Sequence, residues 1–209
     1  VGKPSYSPCT YTQNDIQNSP ANKAGQGGGV YVANGGYLEV DETSSICGNQ
    51  VGYISGIDIR GGGLYVKSGG FAKFKGTSTT KMAKVCYNLS TYGTYGAAIF
   101  VEGSGEVYFS NTEIHNNWIQ SIGVPGLFLC DQAIFYAYNL VMHDNTNNVV
   151  PNDADDLFGS AIHCAGALFI DTTSTNSSCP GAFAYLNLYS NDGVDFYLPK
   201  GIKKKGFLI

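Results

Sequence analysis

Asp153-Ala154-Asp155-Asp156 is the densest acidic segment of this chain, and His163 follows shortly after it. Carboxylates gathered in this way offer oxygen ligands to a hard divalent cation. Two or three of them converging across adjacent strands could instead split a glycosidic bond, one as acid and one as base or nucleophile. A lyase would need an arginine or lysine base beside such a cation. The only arginine, Arg60, directly precedes a glycine run and has no acidic neighbour in sequence except Asp58. The simpler reading of Asp153–Asp156 is a solvated loop. No catalytic, cofactor-binding or metal-binding residue is therefore assigned, and the chain is read as non-enzymatic.

The cysteines and histidines carry the next chemistry. Six cysteines, an even number, suit an oxidising compartment, and the absence of any C-x-x-C spacing argues against a zinc site. Cys47 and Cys86 occupy equivalent places in a repeated element, so neighbouring strands would bring them within disulfide reach. Cys130 and Cys164 are near-equivalent and are expected to pair likewise. The partners of Cys9 and Cys179 stay open, and buried free thiols remain the alternative for all six. His115 and His143 share the place of Cys47 and Cys86, which reads as a structural slot before a pair of metal ligands. Two sequons, Asn88-Leu89-Ser90 and Asn176-Ser177-Ser178, would accept N-glycans in a secreted protein.

What must position these residues is a repeat. Gly27-Gly28-Gly29-Val30-Tyr31-Val32 returns as Gly61-Gly62-Gly63-Leu64-Tyr65-Val66, then as Gly96-Ala97-Ala98-Ile99-Phe100-Val101. Weaker copies are Pro125-Gly126-Leu127-Phe128-Leu129 and Gly159-Ser160-Ala161-Ile162-His163-Cys164, at steps of 34, 35, 28 and 35 residues. Ten residues after Val30, Leu64 and Ile99 come Val40, Phe74 and Phe109, each closing a second apolar strand. A third element places asparagine three residues after an aliphatic, at Asn49, Asn88, Asn117, Asn145 and Asn191, with a partial copy ending at Asn18.

Three short strand signals per period describe a three-sided stack in which each strand pairs with its equivalent one repeat away. In that register Glu39 meets Lys73 and Lys67 meets Glu102, opposite charges that disfavour a one-residue slip. Val30, Leu64, Ile99, Leu127 and Ile162 form an inner aliphatic column. The intervening Tyr31, Tyr65, Phe100, Phe128 and His163 face outward; the stripe could lie against sugar rings or a neighbouring subunit, and the simpler reading is that the protein's own loops cover it. The asparagines form an amide ladder at a turn, where their own backbone is expected to be left-handed.

The paired G-G-x-[hydrophobic] and [hydrophobic]-x-x-N patterns resemble the G-G-A-I and F-x-x-N repeats of polymorphic outer-membrane and adhesin-type proteins, over roughly residues 15 to 198. The resemblance implies a right-handed parallel β-helix, here of about five to six coils, in a secreted, surface, adhesive or fibrous role. This chain departs from that pattern in opening the x-x-N element with Ile, Val, Met or Leu, and no C-terminal membrane barrel is read in it. Polysaccharide-cleaving enzymes share the fold, but the G-H-G and R-I-K signatures of polygalacturonases are missing. Ice binding would need threonines repeating at each step, which they do not.

Composition narrows the partners. With a net charge of −4 and one arginine, the chain lacks the basic face of a nucleic-acid binder. Its most apolar stretch, residues 125–142, is broken by Asp131, Gln132 and Asn139 and reads as short strands, not a membrane span. We expect one β-helix domain across 1–209, with a cap or partial coil at 1–26, coils over 27–198 and a tail at 199–209. The tail joins Lys203-Lys204-Lys205 to Phe207-Leu208-Ile209, a basic run and an apolar end that could dock on a neighbouring molecule. The expected function is an extracellular or cell-surface structural or adhesive protein, assembling end to end with copies of itself. The alternative is a β-helix that binds, or acts on, surface glycans.

Overall fold

The computed structural model describes residues 23–24, 26–52, 59–91, 95–120, 123–130, 132–147, 159–164, 186–189 and 194–197. Every regular element among them is a strand. β1 (Lys23–Ala24) precedes the first full repeat, which contains β2 (Val30–Val32), β3 (Tyr37–Asp41), β4 (Ser45–Cys47) and β5 (Gln50–Val51). The second contains β6 (Leu64–Val66), β7 (Phe71–Lys75), β8 (Ala83–Cys86) and β9 (Leu89–Ser90). There follow β10 (Ile99–Val101), β11 (Glu106–His115) and β12 (Trp118–Ile119), then β13 (Leu127–Leu129), β14 (Ile134–His143) and β15 (Thr146–Asn147). The last are β16 (Gly159–Cys164), β17 (Leu186–Tyr189) and β18 (Val194–Tyr197).

These strands form three parallel sheets, ordered β18-β16-β13-β10-β6-β2, β17-β14-β11-β7-β3 and β1-β5-β9-β12-β15. Short strands β4 and β8 extend the second sheet beside β11. No strand pairs with its neighbour in sequence; each pairs with its equivalent in the adjoining repeat. The expected register holds for the aliphatic column and the charge pairs, with a shift between β16 and β18. Val30, Leu64, Ile99, Leu127 and Ile162 align in turn, and Glu39 faces Lys73. Lys67 Nζ lies 2.8 Å from Glu102 Oε2. The aliphatic columns of the first two sheets meet in one core that also takes in Phe74, Phe109 and Phe135. Burying each such side chain stabilises the fold by roughly 1.5–3 kcal/mol.

Two features differ from the sequence reading. The second and third repeated elements share one sheet, and in β11 and β14 they fuse into single ten-residue strands. The third sheet is instead built from the residue pair directly after each ladder asparagine, such as Leu89–Ser90 and Trp118–Ile119. The left-handed backbone also sits one residue earlier than expected. Gly48, Tyr87, Asn116 and Asp144 have φ of 70°, 53°, 52° and 53°, while the ladder asparagines that follow them do not have positive φ. This residue turns the chain and aims the next side chain inward.

The asparagine ladder and the glycine runs interlock. Asn49, Asn88 and Asn117 each donate through Nδ2 to the Oδ1 of the next ladder residue, at 3.0, 2.9 and 2.9 Å. Their backbone N–H groups donate to the same oxygens. A Cβ on Gly29 would lie 2.7 Å from Asn49 Cγ, and one on Gly63 would lie 2.8 Å from Asn88 Nδ2. The two motifs recur together because one makes room for the other.

Candidate functional site

The aromatic column forms as expected. Tyr31 stacks on Tyr65 at 5.1 Å and 11°, Tyr65 on Phe100 at 5.2 Å and 7°, and Phe100 on Phe128 at 5.4 Å and 11°. His163 follows Phe128 in the strand register. The middle of the stripe is covered, as the simpler reading expects: Tyr65, Phe100 and Phe128 are buried, while Tyr31 reaches solvent at 46% exposure. Val124 and Tyr95 close over them, with the Tyr95 ring edge-on to Phe128 at 4.6 Å. The Arg60 guanidinium lies 4.9 Å from the Phe100 ring centre and 3.8 Å from Glu102. Arg60 and Tyr95 hold one register position, directly before their glycine corners, and an outward strand position is a free one only where nothing folds over it.

The arginine considered for base chemistry therefore serves as a lid. Burial, and then the neighbouring Glu102 carboxylate, push the Tyr65 hydroxyl above its usual range. Burial alone would raise Glu102, but hydrogen bonds from Lys67 and neighbouring donors outweigh it and hold Glu102 below its usual value.

The cysteine–histidine column is likewise real. Cys47, Cys86, His115 and His143 occupy consecutive register positions. Cys47 and Cys86 form a disulfide, with Cα atoms 4.6 Å apart. The His115 and His143 rings stack at 5.2 Å and 6°. His115 Nδ1 is 2.7 Å from Asn116 Oδ1, and burial lowers the His115 pKa. His143 lies between Asp144 Oδ2 at 2.7 Å and Glu113 Oε1 at 3.0 Å, and Glu113 also holds Lys84 Nζ at 2.9 Å. Among the described residues no three His, Cys, Asp or Glu side chains converge as metal ligands. The two rings extend a stack, and His143 holds two carboxylates.

Other expected sites fall elsewhere. Asn88 cannot carry a glycan in this fold. It is fully buried, and its Nδ2 donates to Ile46 O at 2.9 Å and Asn117 Oδ1 at 2.9 Å. The register sets Leu129, not Cys130, opposite Cys164. Cys9, Asn18, Asp58, Asp153–Asp156, Asn176, Cys179, Asn191 and Phe207, Leu208 and Ile209 lie outside the described residues. No helix among the described residues is long and apolar enough to cross a membrane.

Among the described residues, no strand pairs with the outer edge of β2 or β3. Tyr31 at 46% and Tyr37 at 63% are the exposed large apolar side chains there. Each is the last ring of its column, and Tyr37 stacks on Phe71 at 5.4 Å. Sequence reasoning named Tyr31 but missed Tyr37, whose signal was its place opposite Phe71 in the same register. No family model matches this chain, no curated protein is found to be similar to it, and no solved structure matches its fold.

Proposed function

We propose that this chain is a right-handed parallel β-helix that serves as a structural or adhesive element outside the cell or on its surface, assembling through the ends of its stack. The repeated order in which the chain visits its three parallel sheets supports the helical winding. The Cys47–Cys86 disulfide supports an oxidising setting. The observation that carries the assembly reading is the edge at β2 and β3, which among the described residues has no partner strand and lies beside two exposed tyrosine rings. Such an edge is a template for another strand unless it is blunted. With the rest of the aromatic column sealed, this end is the apolar surface left to meet a partner.

Electron microscopy and sedimentation of the native protein test the reading together. Filaments with an axial repeat close to one molecule's length are expected. Monomers alone at high concentration would remove the assembly function. A second reading, glycan binding, rests on the same two rings, since tyrosine faces also lie well against sugar rings. Glycan-array binding lost in Tyr37→Ala, with the protein monomeric throughout, would favour it.

A further inference from the structure

The inner edge of β3 already shows what covers such a surface. Tyr37, Glu39 and Asp41 are all exposed, and in the next repeat they face Phe71, Lys73 and Lys75. A Phe-x-Lys-x-Lys strand thus sets ring on ring and puts a lysine in register with each carboxylate. Glu39 and Asp41 themselves accept hydrogen bonds from Tyr37 and Thr43 of their own repeat. Only two lysine pairs in the chain are spaced by two residues, Lys73/Lys75 and Lys203/Lys205. The second also has a phenylalanine two residues outside it, Phe207, but on the opposite side. Read backwards, Phe207-Gly206-Lys205-Lys204-Lys203 repeats the pattern of Phe71-Ala72-Lys73-Phe74-Lys75. An antiparallel strand is what reads a sequence backwards.

We propose that residues 203–207 of one molecule add to the outer edge of β3 in a second copy as an antiparallel strand. Phe207 then meets Tyr37, Lys205 meets Glu39 and Lys203 meets Asp41. The proposal rests on the edge-assembly reading and names the two surfaces that join. Chain length rules out the same contact within one molecule. In its sheet β18 is five strand spacings from β2, and an added strand lies one further, about 29 Å along the stack at about 4.8 Å each. The six residues from Tyr197 to Lys203 span at most about 21 Å. The occupant must come from another copy.

Two charge reversals test this in the full chain: an edge variant, Glu39→Lys with Asp41→Lys, and a tail variant, Lys203→Glu with Lys205→Glu. In sedimentation equilibrium at low salt, each alone should self-associate about tenfold more weakly than the native protein, or less. An equimolar mixture should regain native association, because each variant's tail then meets an oppositely charged edge. The tail variant alters no described strand, and thermal melting checks the edge variant's fold. If the native protein associates and both variants do so equally well, this contact is wrong while assembly through another surface stands. If the native protein stays monomeric, the proposal and the assembly reading both fail. Association that begins only when residues 1–22 are removed puts that segment on the edge and overturns the proposal for the full chain.

Discussion

Replacing Asn117 by alanine should be among the most damaging single changes in the chain. Its Oδ1 accepts from the Asn88 N–H at 3.0 Å and from Asn88 Nδ2 at 2.9 Å. Its Nδ2 is shared among Val85 O, His115 O and Asn145 Oδ1. The side chain is wholly buried, so water cannot replace these partners. Truncation leaves the Asn88 N–H and the Val85 carbonyl without this partner, each costing about 1–3 kcal/mol, beside the bonds lost outright. The expected loss is about 3–5 kcal/mol. Asn49 is the comparison. It donates to Asn88 Oδ1 and Cys47 O, but it is only half-buried and no described residue donates to its side-chain oxygen. Asn49→Ala should cost about 1 kcal/mol. Urea unfolding with unchanged slope measures both. Equal losses at the two rungs, or under about 1 kcal/mol at Asn117, would refute the ladder as a cooperative buried network.

Gly63→Ala should be more damaging than Gly35→Ala, although only Gly35 has positive φ, at 72°. A Cβ at Gly63 meets Ala98 O at 2.7 Å and the Asn88 amide, whereas one at Gly35 meets nothing within 4 Å. We expect a few kcal/mol against about 1, read by thermal melting. Protein secreted from a glycosylating host should be unmodified at Asn88 when natively folded, by peptide mass spectrometry. Stability should decline on acidification in two stages. Burial holds the folded His115 pKa below its ordinary 6.5, so the unfolded chain takes up the proton first and stability falls as pH drops below that value. Burial would raise Glu113, but Lys84 and His143 lower it on balance, so its contribution is lost further down, below about 4.5. Unfolding midpoints at pH 7.5 and 5.5 should differ in the native protein and much less in His115→Phe.

The register was readable because parallel stacking puts like residue on like, so the chain carries its own alignment. Glu39 with Lys73 and Cys47 with Cys86 were visible on that ground alone. What escaped includes the cover of the aromatic column. Gln26, Arg60 and Tyr95 share one register position but differ in chemical type, so the recurrence does not announce that Arg60 and Tyr95, with Val124, close over the rings. Asn88 carried two readings at once, ladder rung and glycan acceptor, and burial decides between them. The third sheet was missed because strands of two residues, such as Leu89–Ser90, are too short to show alternation. A second amide contact, Asn139 Nδ2 to Asn111 Oδ1 at 2.7 Å, also went unseen; it sits at left-handed positions within β14 and β11.

The Cys47–Cys86 bond has a mechanical consequence. It ties β4 to β8, the first repeat to the second, at the end of the stack where no described strand pairs beyond β2 and β3. A tensile load applied at that end would peel unlinked layers singly, each yielding as its few backbone bonds are unzipped. The bond spans a sequence separation of 39 and withholds that loop from extension, about 130 Å of contour. Force entering at β3 is therefore passed on to β11 through a layer pair that cannot be drawn out, and the end most exposed to traction is the one covalently reinforced.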